Sequence, residues 1–343
     1  MERRIMMVAV VVCGVAAACM AAAATPSPTA APAAAGPLQV LKTFTVGGSA
    51  RGWDYLTVDP DARRLYLSHG DLITVIDADK GTAIGEIPDT PRSHGIALVP
   101  DANVGFTSNG GGNDLTVFDL KTLKMIKKIK AGRSPDSIIY DTGSKKIFAF
   151  NHAGGDITIV DPKALDKEPV TLAVGGDLET GVSDGAGRVY VNVEDKSEIV
   201  AIDSKAGKVL AHWPLAPGQG PTGLAIDVQH HRLFAGCANK LMVIVDPEAG
   251  KVLTTVPIGS GVDGVAFDSQ LGVAVSANGR DGTVTVVKED PAGTFKAIQT
   301  LKTADGARTI TSDPKTHQFY LPCAIATTGQ REFSVVVVGA AKP

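Results

Sequence analysis

The stretch WDYLTVDPDARRLYLSHGDLITVIDADKGTAIGEI, residues 53–87, decides the fold. It contains four short runs rich in β-branched and aliphatic residues: Asp54–Val58, Arg64–Ser68, Leu72–Ile76 and Thr82–Ile87. Polar turns carrying Asp, Pro or Gly separate them, which is the signal for consecutive antiparallel strands. The third run ends in an aliphatic-Asp pair, Ile76-Asp77, and that pair recurs as Phe118-Asp119, Val160-Asp161, Ile202-Asp203 and Val245-Asp246. The spacing is 42, 42, 42 and 43 residues. One further step of 42 reaches Lys288, so the strand is expected to persist there with its Asp lost.

The turn after the first run repeats on the same period: TVDPDARRLYL, LVPDANVGF, IYDTGSKKIFAF, VSDGAGRVYV, AIDVQHHRLFA, AFDSQLGVAV and TSDPKTHQFYL. Seven copies of a unit near 42 residues, four strands each, predict an all-β, seven-bladed β-propeller. A single blade cannot bury both of its faces, so neighbours must stack around an axis. The last unit, from Arg308, supplies only three strands, ending in Phe333–Val338. Leu38–Val46 is a lone strand ahead of the first unit and is the expected fourth strand of the last blade. That pairing closes the ring and covers an open sheet edge.

The propeller is therefore expected to span residues 38–343 as one domain. Residues 1–24 read as a secretory signal peptide: Arg3 and Arg4, then an apolar run to Ala24, with Ala22-Ala23-Ala24 as the cleavage site. Residues 25–37 are a Pro/Ala-rich spacer. A periplasmic or secreted protein is expected, with no membrane span after signal cleavage. Cys13 and Cys19 leave with the signal, and Cys237 and Cys323, a blade apart, are expected to be free buried thiols.

The whole chain carries 33 Lys+Arg against 36 Asp+Glu, and 5% aromatics. It lacks the basic footprint and stacking surface of a nucleic-acid binder, so no nucleic-acid partner is expected. The second strands Leu65-Tyr66-Leu67-Ser68, Phe106-Thr107-Ser108-Asn109, Phe148-Ala149-Phe150-Asn151 and Val189-Tyr190-Val191-Asn192 resemble the repeat of the YVTN-type, YncE-like propeller family. The resemblance covers residues 38–343 and implies an exported seven-bladed propeller. It leaves the ligand open.

Several motifs imitate chemistry. Gly218–Gly223 and Gly259–Gly264 match G-x-G-x-x-G, but each leads into a strand rather than the helix a dinucleotide needs. Gly181-Val-Ser183-Asp-Gly185 matches a nucleophile elbow without the following helix.

The chemistry is expected at the axis, where the first strands and their preceding loops converge from all blades. Trp53, Asp54, His94, Asp136, Glu179, Asp263 and Arg308 lie there, and the second-to-third-strand loops add His69, Asn109 and His152. These ten are the expected ligand-binding set, for a small polar molecule or a protein partner. His69, His94 and His152, from the first three units, are an expected triad for a divalent metal. The leading expectation is a monomeric binding or scaffolding propeller. The alternative is a lactonase-like hydrolase or lyase with Asp136, Glu179 or Asp263 as acid/base, His94 as proton shuttle and Arg308 holding an anion. Crowding of the carboxylates is expected to raise their pKa values.

Overall fold

A computed structural model describes residues 1–2, 36–327 and 329–340. The expected signal peptide, apart from residues 1–2, and nearly all of the expected spacer lie outside the described residues. The described residues from Gly36 onward form one compact unit.

That unit is a wheel of seven four-stranded antiparallel sheets. Blade 1 consists of Trp53–Asp59, Arg64–His69, Leu72–Asp77 and Ala83–Ile87, in that order from the axis outward. Blades 2 to 6 follow in residues 93–130, 135–173, 178–214, 221–257 and 262–302. Blade 7 consists of Thr311–Asp313, Gln318–Thr327 and Gln330–Ala340, and its outer strand is Leu38–Thr45. Leu38 pairs with Ala340 and Thr45 with Ser334, so the N-terminal strand closes the ring as its apolar pattern required.

The cores lie between blades. In blades 1 and 7, Leu56, Leu65, Leu67 and Ile76 pack against Tyr320, Phe333, Val335 and Val337. Each second and third strand is buried on both faces, which explains why those runs read as continuous apolar stretches rather than alternating ones.

The recurring Asp has a local cause. Oδ1 of Asp77 accepts the N–H groups of Asp79 and Lys80, and Asp119, Asp203 and Asp246 do the same two and three residues on. These are Asx turns that hold each outer hairpin in place of backbone-only contacts. In blade 6 the Asp is displaced rather than lost. Asp290 accepts from Ala292 and Thr294, and the strand before it runs on to Glu289. The expectation at Lys288 is corrected by a two-residue lengthening of that hairpin. Asp246→Ala should cost about 1 kcal/mol, the scale of one such side-chain cap, read as a shift in the denaturation midpoint.

Cys237 and Cys323 are free and buried. Burial pushes their thiols up to about 12 and about 11 respectively. Mass mapping after thiol labelling of the native protein at pH 7.5 should find both unmodified, since the thiolate is the reactive form.

Candidate functional site

Every first strand of blades 1 to 6 slips register with its second strand near its start. The slips fall between Trp53 and Leu56, Ser93 and Ile96, Pro135 and Ile138, Leu178 and Gly181, Pro221 and Leu224, and Val262 and Gly264. A bulge breaks the ladder and re-aims a side chain. The first residue inside it is, blade by blade, Asp54, His94, Asp136, Glu179, Thr222 and Asp263. Second-strand side chains satisfy the freed backbone: Ser68 Oγ accepts from Asp54 N–H, Ser108 Oγ accepts from Gly95 N–H, and Asn192 donates to the carbonyls of Thr222 and Gly223. Arg308 completes the circle from blade 7, its carbonyl accepting from Asp263 N–H and Gly264 N–H.

The bulge residues form an arc of alternating charge. Arg308 Nε lies 2.7 Å from Asp263 Oδ2, and its Nη2 lies 3.2 Å from Asp54 Oδ1. Asp54 Oδ2 is 2.5 Å from His94 Nδ1, which is also 3.1 Å from Asp136 Oδ1. His152 reaches over from the blade 3 hairpin to place Nδ1 3.0 Å from Glu179 Oε1. Six blades are thus clasped through side chains distant in sequence. Thr222 of blade 5 is the one neutral member of the ring.

Burial and crowding shift these groups together. Burial raises Asp136 well above the usual carboxylate range, and Asp54 adds to it while His94 opposes. Glu179 is raised to about 7, first by burial, against its bond with His152. Asp263 is raised to about 6 by burial and then by Asp54, against Arg308. The bond to Glu179 lifts His152 to about 9 despite burial. Burial acts most strongly on His94 and lowers it, but Asp54 and Asp136 together leave it raised.

Tyr55 was not among the expected residues. Its hydroxyl meets Thr180 Oγ1 of blade 4 at 3.1 Å, bridging blades 1 and 4. Burial and then Asp136, Glu179, Asp263 and Asp54 push its pKa well up, so the phenol lies among all four carboxylates. The signal was present in the aligned units. The position after the ring residue holds Gly95, Ser137, Thr180, Gly223, Gly264 and Thr309 elsewhere, and only blade 1 places a ring there.

A cup of about 310 Å³ opens beside the Arg308–Asp54–His94 part of this arc, lined by these three with Trp53, Asp71 and Arg92 among others, while Asp136, His152, Glu179 and Asp263 do not line it. The Arg308 side chain is 43% exposed, the most open of the arc's ion-paired groups. Trp53 Nε1 and His94 Nε2 are buried without a hydrogen-bond partner. The Trp53 ring stacks on Phe333 of blade 7 at 6.3 Å.

The remaining expected residues lie elsewhere. Asn109 is wholly buried, donating to Asp114 and Thr116 and accepting from Thr107, so it fastens its hairpin rather than lining the cup. Asn151 and Asn278 do the same work in blades 3 and 6. His69 packs against Phe333 with ring centroids 4.2 Å apart, and its ring nitrogens meet Ser49 O and Thr74 Oγ1. It therefore does not join His94 and His152. Among the described residues, two groups have ligand atoms within 4.8 Å of one another: Asp54, His94 and Asp136, and Asp136, His152 and Glu179. A mixed imidazole–carboxylate set of this kind suits a divalent cation. The three-histidine grouping is replaced by two His–carboxylate groups sharing Asp136.

The imitative motifs resolve as structure. Pro221–Asp227 and Val262–Asp268 are strands following the two glycine-rich turns. Ser183 ends a strand and donates to Asp141 at 2.5 Å.

No protein-family model matches the chain, and no curated protein matches it. Solved structures do share its fold. The crystal structure of RRP9 WD40 repeats superposes with a TM-score of 0.74 at 7% identity, covering 88% of this chain and 99% of that one. Kuenenia stuttgartiensis hydrazine synthase gives 0.70 at 16% identity, covering 86% of this chain and 97% of that one. At such identities the likeness is one of fold alone.

Proposed function

We propose that the axial cup is a site for acid–base chemistry on a small polar molecule carrying an anionic group, as in a lactonase-like hydrolase or a lyase. The observation that carries this reading is His94, an imidazole held between two carboxylates from its neighbouring blades and lining a cup that Arg308 also lines. A scaffold needs no such convergence. Asp54 orients His94, as a buried carboxylate does for a catalytic imidazole. Asp136 is the proton donor, its carboxyl held above the usual carboxylate range by burial and by its acidic neighbours. Arg308 offers its exposed edge to the substrate's anion. His152 and Glu179 form a second proton-exchanging pair beside it. A divalent cation held by Asp54, His94 and Asp136 would supply Lewis acidity at the same place. The repeat strands, similar to the YVTN type, together with residues 1–24, support an exported protein.

The test is a panel of lactones, esters and β-elimination substrates, assayed from pH 5 to 9 with the parent, His94→Gln and Asp136→Asn. Turnover with a bell-shaped pH profile, reduced about 10²–10⁴-fold in each variant, is expected. Turnover that survives in both variants, or a parent inert towards the whole panel, rejects the reading in favour of binding alone.

A further inference from the structure

Positive charge is unevenly placed around the wheel. Residues 121–167 hold ten Lys and Arg against five Asp, in a chain whose totals are 33 and 36. They form the outer parts of blade 2 and most of blade 3. The outer strand of blade 2, Met125–Lys130, reads MIKKIK. Lys121, Lys124, Lys128 and Lys130 are exposed there, and of these only Lys128 has an acidic partner, Asp114 at 3.6 Å.

The same flank exposes aliphatic side chains. Met125 is 45% exposed and Ile126 49%, and on the adjoining outer strand Val170 is 60% exposed. In a regular strand consecutive residues face opposite sides. Here Val117 pairs with Lys127 and Phe118 with Met125, so a bulge falls at Ile126 and leaves two neighbouring aliphatics in solvent. Lys127 ties the two blades together, with Nζ donating to Leu165 O and Asp166.

Lysines do guard sheet edges against pairing. All seven blades have an outer edge, however, and the others lack this density. Ala83–Ile87 and Val170–Ala173 carry no Lys, and Lys208–Pro214, Lys251–Pro257 and Leu38–Thr45 carry one each. Both lysines of Phe295–Lys302 are ion-paired. The outer strands of blades 1, 4, 5 and 6 each expose one aliphatic at the same bulge, Ile84, Leu210, Leu253 and Ile298, whereas blade 2 exposes two, Met125 and Ile126, beside its lysines.

We infer that the blade 2–3 flank docks this protein on an anionic phospholipid surface. The lysines meet phosphate groups while Met125, Ile126 and Val170 enter the acyl boundary. The aliphatics form a small exposed patch on the outer strands, an adjacent pair in blade 2 and Val170 in blade 3. That arrangement suits insertion among lipids better than the continuous apolar core of a protein interface.

The test is flotation of the purified protein with phosphatidylcholine vesicles, and with phosphatidylcholine–phosphatidylglycerol vesicles at 3:1, in about 0.1 M salt. Binding to the anionic vesicles alone is expected. Lys121→Glu/Lys124→Glu/Lys130→Glu should weaken it at least about 100-fold. Met125→Ser/Ile126→Ser/Val170→Ser should weaken it at least about tenfold. All six positions are exposed, so a normal far-ultraviolet spectrum is expected of both variants. Failure to bind anionic vesicles overturns the inference. So does binding indifferent to the serine variant, which would mark the flank as a site for a soluble polyanion or an acidic protein.

Discussion

Asp136→Asn is expected to stabilise the fold above neutral pH while removing the site's acid. The carboxyl of Asp136 is raised well above its ordinary value, chiefly by burial. A carboxyl raised in the folded state contributes fully to stability below the unfolded value near 4, and that contribution is lost as pH rises through the folded pKa. Asn has the same shape and does not titrate. Parent and variant should therefore denature alike near pH 4, and the variant should become increasingly the more stable of the two as pH rises to 8. Removing the negative charge also withdraws support from His94, whose imidazole pKa, followed by NMR, should fall. A variant less stable than the parent at pH 8 would refute the claim that the arc is strained by its own carboxylates.

Arg308→Ala is expected to do the reverse. Arg308 is the one permanent cation of the arc and bridges Asp263 and Asp54 across the joint between blades 6, 7 and 1. Truncating it leaves two mostly buried carboxylates facing each other, a loss on the order of 3 kcal/mol. The loss should depend on pH. Asp263 is raised to about 6 even with the guanidinium present, so without it the carboxyl protonates more readily and the defect should shrink by pH 5. Asp263→Asn in the same chain should restore at least half of the loss, because the two residues share one interaction. Equal destabilisation at pH 5 and pH 8, in thermal melts of the two variants, would show that Arg308 acts through packing rather than charge.

Together these variants separate a clasp from a site. In a clasp, each ring residue would be chosen for stability, and Asp136→Asn would be harmful. In a site, some residues are held in protonation states that cost stability, as Glu179 at about 7 illustrates. The same logic gives the parent's pH profile. Glu179, Asp263 and His152 are all raised, so stability should decline as pH rises from about 4 to about 9. Asp141 and Asp313 are lowered by hydrogen bonds against the pull of burial, so their contribution is lost below about pH 4.

The sequence alone determined the number of blades, their strand order and the closure by Leu38–Thr45. Each of these follows from local chemistry repeated at a fixed period: an Asx turn, a double-sided apolar strand, an unpaired edge. It also placed Asp54, His94, Asp136, Glu179, Asp263 and Arg308 in one ring, because equivalent positions in a closed wheel must share a radius. Tertiary structure alone decided which of them touch. His69 and Asn109 occupy comparable hairpins to His152, yet one is drawn aside by Phe333 and the other buried under Thr116. Whether a side chain turns to the axis depends on rotamer and on neighbours in the next blade, which lie roughly 40 residues away and which no local pattern encodes. For the same reason the charge alternation from Asp263 to Asp136 could not be read along the chain. It exists only around the axis, where bulged strands bring their second residues face to face.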